Sequence, residues 1–230
     1  MIRIRKAEDR GQADHGWLKT SHTFSFADYH DPQNVHFRSL RVMNEDFIAG
    51  GNGFGMHPHR DMEIVTYVMQ GALEHRDSMG NHGVIKPGVI QRMSAGTGVM
   101  HSEQNPTDET THLYQIWIFP REKGIEPGYE EKSLPETSPG QWVLVASPDG
   151  SEGSVTINAD TRLWAARLNA GQKLDYAVEK THGAWLQVTR GSLTLNGHTL
   201  SSGDGAAIEE VEALEIEAVE DAELLLFDLD

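Results

Sequence analysis

The 230-residue chain carries 35 Asp and Glu against 19 Lys and Arg, a formal charge of -16, which disfavours direct DNA or RNA binding because phosphate recognition needs a clustered basic surface. It has no cysteine, so disulfides, thiolate zinc sites and a cysteine nucleophile are excluded. The length allows one large domain or two small ones. The opening Met-Ile-Arg-Ile-Arg-Lys lacks the apolar run of a secretory signal and no later stretch approaches membrane-spanning length, so a cytoplasmic protein without membrane association is expected.

Along the chain, short β-branched and aromatic runs bounded by turn residues predict strands, and no long amphipathic helix is apparent. Gly50, Gly51, Gly53 and Gly55 allow a tight entry into a segment holding His57-Pro58-His59. Pro58 removes a ladder donor, which fits a strand start, an edge or a bulge. A strand over Glu63–Met69 follows, and Gly96 and Gly98 form a turn ahead of His101-Ser-Glu103. Another strand covers Leu113–Phe119. Pro120, Pro127, Pro135 and Pro139 then mark a strand-poor connection, beyond which Trp142–Ala146 and Arg162–Leu168 read as strands again.

The two sides of that connection share a pattern. Tyr67-Val-Met-Gln-Gly71-Ala-Leu resembles Gln187-Val-Thr-Arg-Gly191-Ser-Leu, and Lys86-Pro-Gly88-Val resembles Ser202-Gly203-Asp-Gly. The order and spacing predict a duplicated all-β barrel, with domains at 1–135 and 140–230. Aligned on these glycines, the second half places Ala177 and Glu179 where His57 and His59 stand, and Ile216 and Ala218 where His101 and Glu103 stand. Metal chemistry is therefore expected in the first half alone.

Alternate residues of a strand share a face, so His57 with His59, and His101 with Glu103, can each aim a pair of donors at one point. Three nitrogens and one oxygen suit a first-row divalent cation with coordination positions left open. Glu63 competes for the carboxylate role; spacing favours Glu103, leaving Glu63 as a supporting or buried paired carboxylate, and Asp61 reads as a solvated loop residue. Among the other histidines, His22, His30 and His75 are expected nearest the barrel mouth. His15, His36, His82, His112, His182 and His198 read as solvated or structural. Phe54, Met56, Met93 and Met100 are expected either to line an aromatic-substrate pocket or to fill the core.

These residues resemble a known family. Gly51-x5-His57-x-His59-x3-Glu63 is similar to the first cupin motif, with its closing Gly71 one residue late. Gly98-x2-His101-x3-Asn105 is similar to the end of the second, with Gly96 where proline is usual. His22-Thr-Phe-Ser-Phe-Ala-Asp-Tyr-His30-Asp-Pro32, His57-Pro-His-Arg60 and Met93-Ser-Ala-Gly-Thr-Gly-Val-Met-His-Ser-Glu103 resemble the bacterial pirin-like bicupins. The resemblance implies two tandem cupin barrels packed face to face, with one metal ion on His57, His59, His101 and Glu103 in the first barrel and none in the second.

Bacterial members are associated with quercetin 2,3-dioxygenase activity. The resemblance thus implies a flavonol and dioxygen as substrates, opening of the heterocyclic ring with loss of carbon monoxide, and Glu103 as the general base. Iron(II) is the expected ion, while copper, nickel, cobalt and manganese suit the same donors. No organic cofactor is required. The alternative is a non-catalytic, metal-dependent regulatory protein whose acidic surface suits a basic protein partner. A sugar-phosphate isomerase is disfavoured because no Arg/Lys cluster stands beside the site. A monomer is expected.

Overall fold

A computed structural model describes residues 1–230. Its strands are β1 (Ile2–Arg5), β2 (Gly11–Asp14), β3 (Leu18–His22), β4 (Leu40–Ile48), β5 (Gly53–His59), β6 (Glu63–Gln70), β7 (Leu73–Asp77), β8 (His82–Ile85), β9 (Val89–Ser94), β10 (Val99–Gln104) and β11 (Thr111–Ile118). They continue as β12 (Gly128–Ser133), β13 (Gln141–Ser147), β14 (Val155–Thr156), β15 (Thr161–Leu168), β16 (Lys173–Ala177), β17 (Gly183–Arg190), β18 (Ser192–Leu195), β19 (His198–Ser201), β20 (Gly205–Ile208), β21 (Ala213–Ala218) and β22 (Ala222–Leu229). The all-β expectation holds, and no helix is long and apolar enough to cross a membrane.

Two compact units share one topology. In the first, the order β12-β9-β6-β11-β4-β3-β2 forms a large sheet and β5-β10-β7-β8 a small one. The second repeats this with β1-β20-β17-β22-β15-β13 and β16-β21-β18-β19. The correspondence makes β1 the counterpart of β12. The first unit comprises Gly11–Leu134 and Pro148–Ala159, and the second takes Met1–Arg10, Pro135–Ser147 and Asp160–Asp230. The chain is therefore not divided by a single cut near residues 135–140. Ile2 pairs with Ile208 and Arg5 with Gly205, so the opening segment supplies the edge of the second barrel's sheet.

Residue type explains what each interior does. In the second barrel Leu186, Leu193, Leu195, Leu214, Ile216, Leu224 and Leu226 belong to one apolar cluster and are almost wholly buried. Each such side chain contributes about 2–3 kcal/mol of hydrophobic free energy. The first barrel has an apolar cluster of Leu18, Ile48, Val68, Leu73, Ile85 and Leu113. It also buries Asn44, Asp46, His75, His101, Glu103 and Gln115. Polar groups removed from water need partners or a ligand. That contrast locates the chemistry.

Strand pairing also corrects the glycine-based alignment of the halves. His57 lies opposite His101 as Tyr176 lies opposite Leu214, and His75 lies opposite Glu103 as Leu195 lies opposite Ile216. The second-barrel counterparts of His57, His101 and Glu103 are thus Tyr176, Leu214 and Ile216. At His101 and Glu103 the glycine alignment slips by two residues because β20 has four residues where β9 has six.

Candidate metal centre

β5 and β10 bring the first donors together. β5 is the edge strand of its sheet, and its pairing with β10 shifts register between His101 and Glu103, so Pro58 sits where a missing ladder donor is tolerated. A Cβ at Gly53 would run into the backbone carbonyl of Glu103. Glycine there permits the close approach that carries β5 alongside β10.

The donor atoms of His57, His59 and His101 all lie within 4.8 Å of one another. Glu103 joins His101 and His75 in a second group of the same tightness, so His101 links the four expected donors. The ring of His57 is oriented by Nδ1, 2.7 Å from the Gly55 carbonyl oxygen, which accepts its proton and leaves Nε2 for a cation. The His59 ring stands edge-on to Trp117, with centroids 4.8 Å apart. His101 Nε2 is buried and has no hydrogen-bond partner in the protein.

Electrostatics favour a cation here. Burial, then the neighbouring His57, holds His59 down to about 4. Burial followed by His57, His59 and His75 takes His101 down to about 2. Both rings are neutral at physiological pH, with lone pairs available for ligation. Burial raises Glu103, opposed by hydrogen bonds from Gln115, whose Nε2 donates to both carboxylate oxygens at 3.0 and 2.9 Å. Thr66 Oγ1 donates to Gln115 Oε1 at 3.0 Å, fixing that amide.

A cavity of about 310 Å³ opens onto these groups, with Leu18, Phe26, Phe54 and Trp117 as apolar walls and Thr20, His22, Asn44 and Asp46 as a polar side. No Lys or Arg lines it. Asp46 is pushed up to about 7, chiefly by burial, with the Glu103 and Glu45 charges adding to the rise against a Thr20 hydrogen bond. Two buried carboxyl groups and three converging imidazoles, one of them with an orphaned ring nitrogen, suit a divalent cation site.

Several expected placements differ. His15, not His30, lines the cavity with His22; His30 is exposed. His22 Nδ1 lies 2.9 Å from Asn44 Oδ1. Glu63 is the buried paired carboxylate, accepting from Ser94 Oγ at 2.8 Å and from the Asn158 amide at 3.1 Å, apart from the imidazoles. Asp61 accepts from the Gly124 amide at 2.7 Å. Met56 and Met100 neither line the cavity nor fill the core: they are 54% and 43% exposed. Each precedes an inward histidine by one residue, so strand parity turns it outward. Met93 is core, packed with Ile64, Ala95 and Val99, and Phe54 lines the cavity. Asn44 and Asp46 on β4, and Gln115 and Trp117 on β11, were not anticipated; the only signal for the first three was a polar residue within an otherwise apolar strand.

Two repeated antiparallel barrels, one with a polar interior gathered around three imidazoles, define a bicupin with a candidate metal centre. Residues 3–118 match the family model described as Pirin, and residues 144–229 match the model described as the Quercetinase C-terminal cupin domain. The chain belongs to the pirin family. It is 48% identical over 230 residues to a quercetin 2,3-dioxygenase of Escherichia coli strain K12, covering 100% of this chain and 99% of that protein. A pirin-like protein of Caulobacter vibrioides is 44% identical, with 99% of each covered. The crystal structure of the bacterial pirin YhhW from Escherichia coli in complex with nickel(II) superposes with a TM-score of 0.95 at 47% identity, covering 100% of this chain and 99% of that one.

Proposed function

We propose that His57, His59, His101 and Glu103 hold one divalent transition-metal ion, and that the protein is a dioxygenase opening the heterocyclic ring of a flavonol such as quercetin, with dioxygen consumed and carbon monoxide released. The observation that carries the reading is the buried, unpartnered Nε2 of His101, set among converging imidazoles at an aromatic-walled cavity. The full-length likeness to a quercetin 2,3-dioxygenase supports it. Iron(II) is our reading of the native ion, and the nickel(II) complex of a relative supports binding of a first-row divalent ion.

The ion, when bound, would supply Lewis acidity favouring ionisation of the flavonol's enolic hydroxyl. Glu103 accepts that proton; burial raises its affinity for one, as a general base requires. Gln115 keeps both carboxylate oxygens aimed by donating to each. Phe26, Phe54 and Trp117 offer a planar aromatic guest flat apolar walls and exclude water around it. The second barrel holds no ion, its corresponding positions being filled by Tyr176, Leu214 and Ile216.

Metal analysis and aerobic turnover on one preparation test the proposal. Metal-loaded protein is expected to bleach quercetin absorbance and release carbon monoxide, and His101→Ala to lose both metal and turnover. Loaded protein that does neither with quercetin and dioxygen overturns the assignment. One observation favours the non-catalytic reading: Met56, Met79, Val84 and Met100 are exposed on the strands and turn of the small sheet that carries the donors, and such methionine-rich surfaces suit protein contacts.

A further inference from the structure

The proposed metal site rests on a histidine that its donor spacing does not include. His75 Nδ1 lies 3.4 Å from His101 Nδ1, and His75 Nε2 lies 3.3 Å from Asp77 Oδ2. The side chains of His75 and Asp77 are both 0% exposed. Asp77 accepts from the backbone amides of Met79 and Asn81, each at 2.9 Å, and from Asn81 Nδ2 at 2.9 Å, which holds it as a carboxylate below its ordinary range despite burial. The Ser78 amide donates to the Met100 carbonyl at 2.8 Å, and the Met100 amide donates to Ser78 Oγ at 3.1 Å. This pins the β7–β8 turn to the residue before His101. Tyr129 stacks on the His75 ring with centroids 4.9 Å apart.

Proton placement then has one consistent solution. A His101 that ligates through its orphaned Nε2 carries its proton on Nδ1. That proton faces His75 Nδ1, which must accept it, so His75 carries its own proton on Nε2 and donates to Asp77. We infer that His75 is a positioning residue: with Asp77 it fixes the tautomer and ring orientation in which His101 presents Nε2 to the metal. The inference rests on the proposed site and distinguishes His75 from a ligand, although it lies within 4.8 Å of His101 and Glu103 donors.

The test measures nickel(II) affinity of the full chain by competition calorimetry, with His101→Ala as the control for the site itself. Nickel binding by that control equal to wild type refutes the metal-site reading; loss in the control leaves the inference to be judged alone. His75→Leu is expected to weaken binding by about 10- to 100-fold. His75→Gln is expected to stay within about threefold, because an amide can accept with its oxygen and donate with its nitrogen at the same two places. Asp77→Asn, which turns an acceptor into a donor, is expected to weaken binding, and it carries the test with His75→Gln if the leucine variant does not fold. In cobalt(II)-loaded protein, the hyperfine-shifted His101 ring N–H is expected to exchange faster with solvent in His75→Leu than in wild type. Wild-type affinity in both His75→Leu and Asp77→Asn overturns the inference. So does a His75→Gln defect accompanied by one fewer coordinated imidazole in pulsed EPR of the copper(II) form.

Discussion

Replacing Asp46 by asparagine isolates the cost of a buried carboxylate at the cavity wall. Asp46 is held at about 7 against an ordinary 3.8, mainly because burial disfavours its charged form. Between those values the folded chain binds the proton and the unfolded chain does not. Stability therefore falls as pH rises through that window, and the deficit is complete above about 7. The interval from 3.8 to about 7, at ~1.4 kcal/mol per pH unit, corresponds to about 4 kcal/mol. Asparagine has the shape of the protonated acid and cannot ionise. Metal-free Asp46→Asn should thus match wild type near the acid end of the window and exceed it by up to about 4 kcal/mol above pH 8. In a domain of this size that is on the order of 10 °C in Tm. Guanidinium and thermal denaturation in chelator, followed by circular dichroism at several pH values, read the difference directly. A stability gap that does not change with pH, or a variant weaker than wild type at alkaline pH, refutes the reasoning.

Glu103→Gln should cut flavonol turnover by on the order of 10²- to 10⁴-fold while nickel binding by calorimetry persists with reduced affinity. A pure interaction protein would keep its partner binding in the same variant. Leu226→Ala, at a fully buried position in the second barrel's core, should cost about 2–5 kcal/mol in denaturant titration. Its nickel affinity should be unchanged, since every candidate donor lies in the first unit. Gly71→Ala should lower stability by about 1–3 kcal/mol: φ is +80°, and the new methyl would meet Thr111 Oγ1 at 2.6 Å, the hydroxyl that donates to Ala72 O. Differential scanning calorimetry checks it.

The convergence of the candidate donors was legible because strand parity is a local rule: His57 with His59, and His101 with Glu103, share a face wherever those strands pack. The same rule turns Met56 and Met100 to the outer face, so their exposure was also written in the sequence. Asp46 and Gln115 were less accessible. In Asn44-Glu45-Asp46 the alternation is polar throughout, and only tertiary packing decides that Glu45 meets His112 at 2.9 Å while Asn44 and Asp46 line the cavity. The tie between His75 and His101 depends on which strand lies beside β10, a non-local fact. Strands rich in β-branched residues, such as Glu63–Gln70, were found within a residue or two of their ends. The pairing of β1 with β20 spans nearly the whole chain and carries no local signal.

That pairing has a consequence for biosynthesis. Strand β1 lacks its hydrogen-bonding neighbours until more than two hundred later residues have been made, since Ile2 meets Ile208 and the Glu209 amide donates to the Met1 carbonyl. Contacts so distant in sequence slow folding and leave an unpaired strand waiting in the nascent chain. A fusion placed directly ahead of Ile2 would therefore burden the second barrel, whose sheet that strand completes, rather than the first barrel that follows it in sequence.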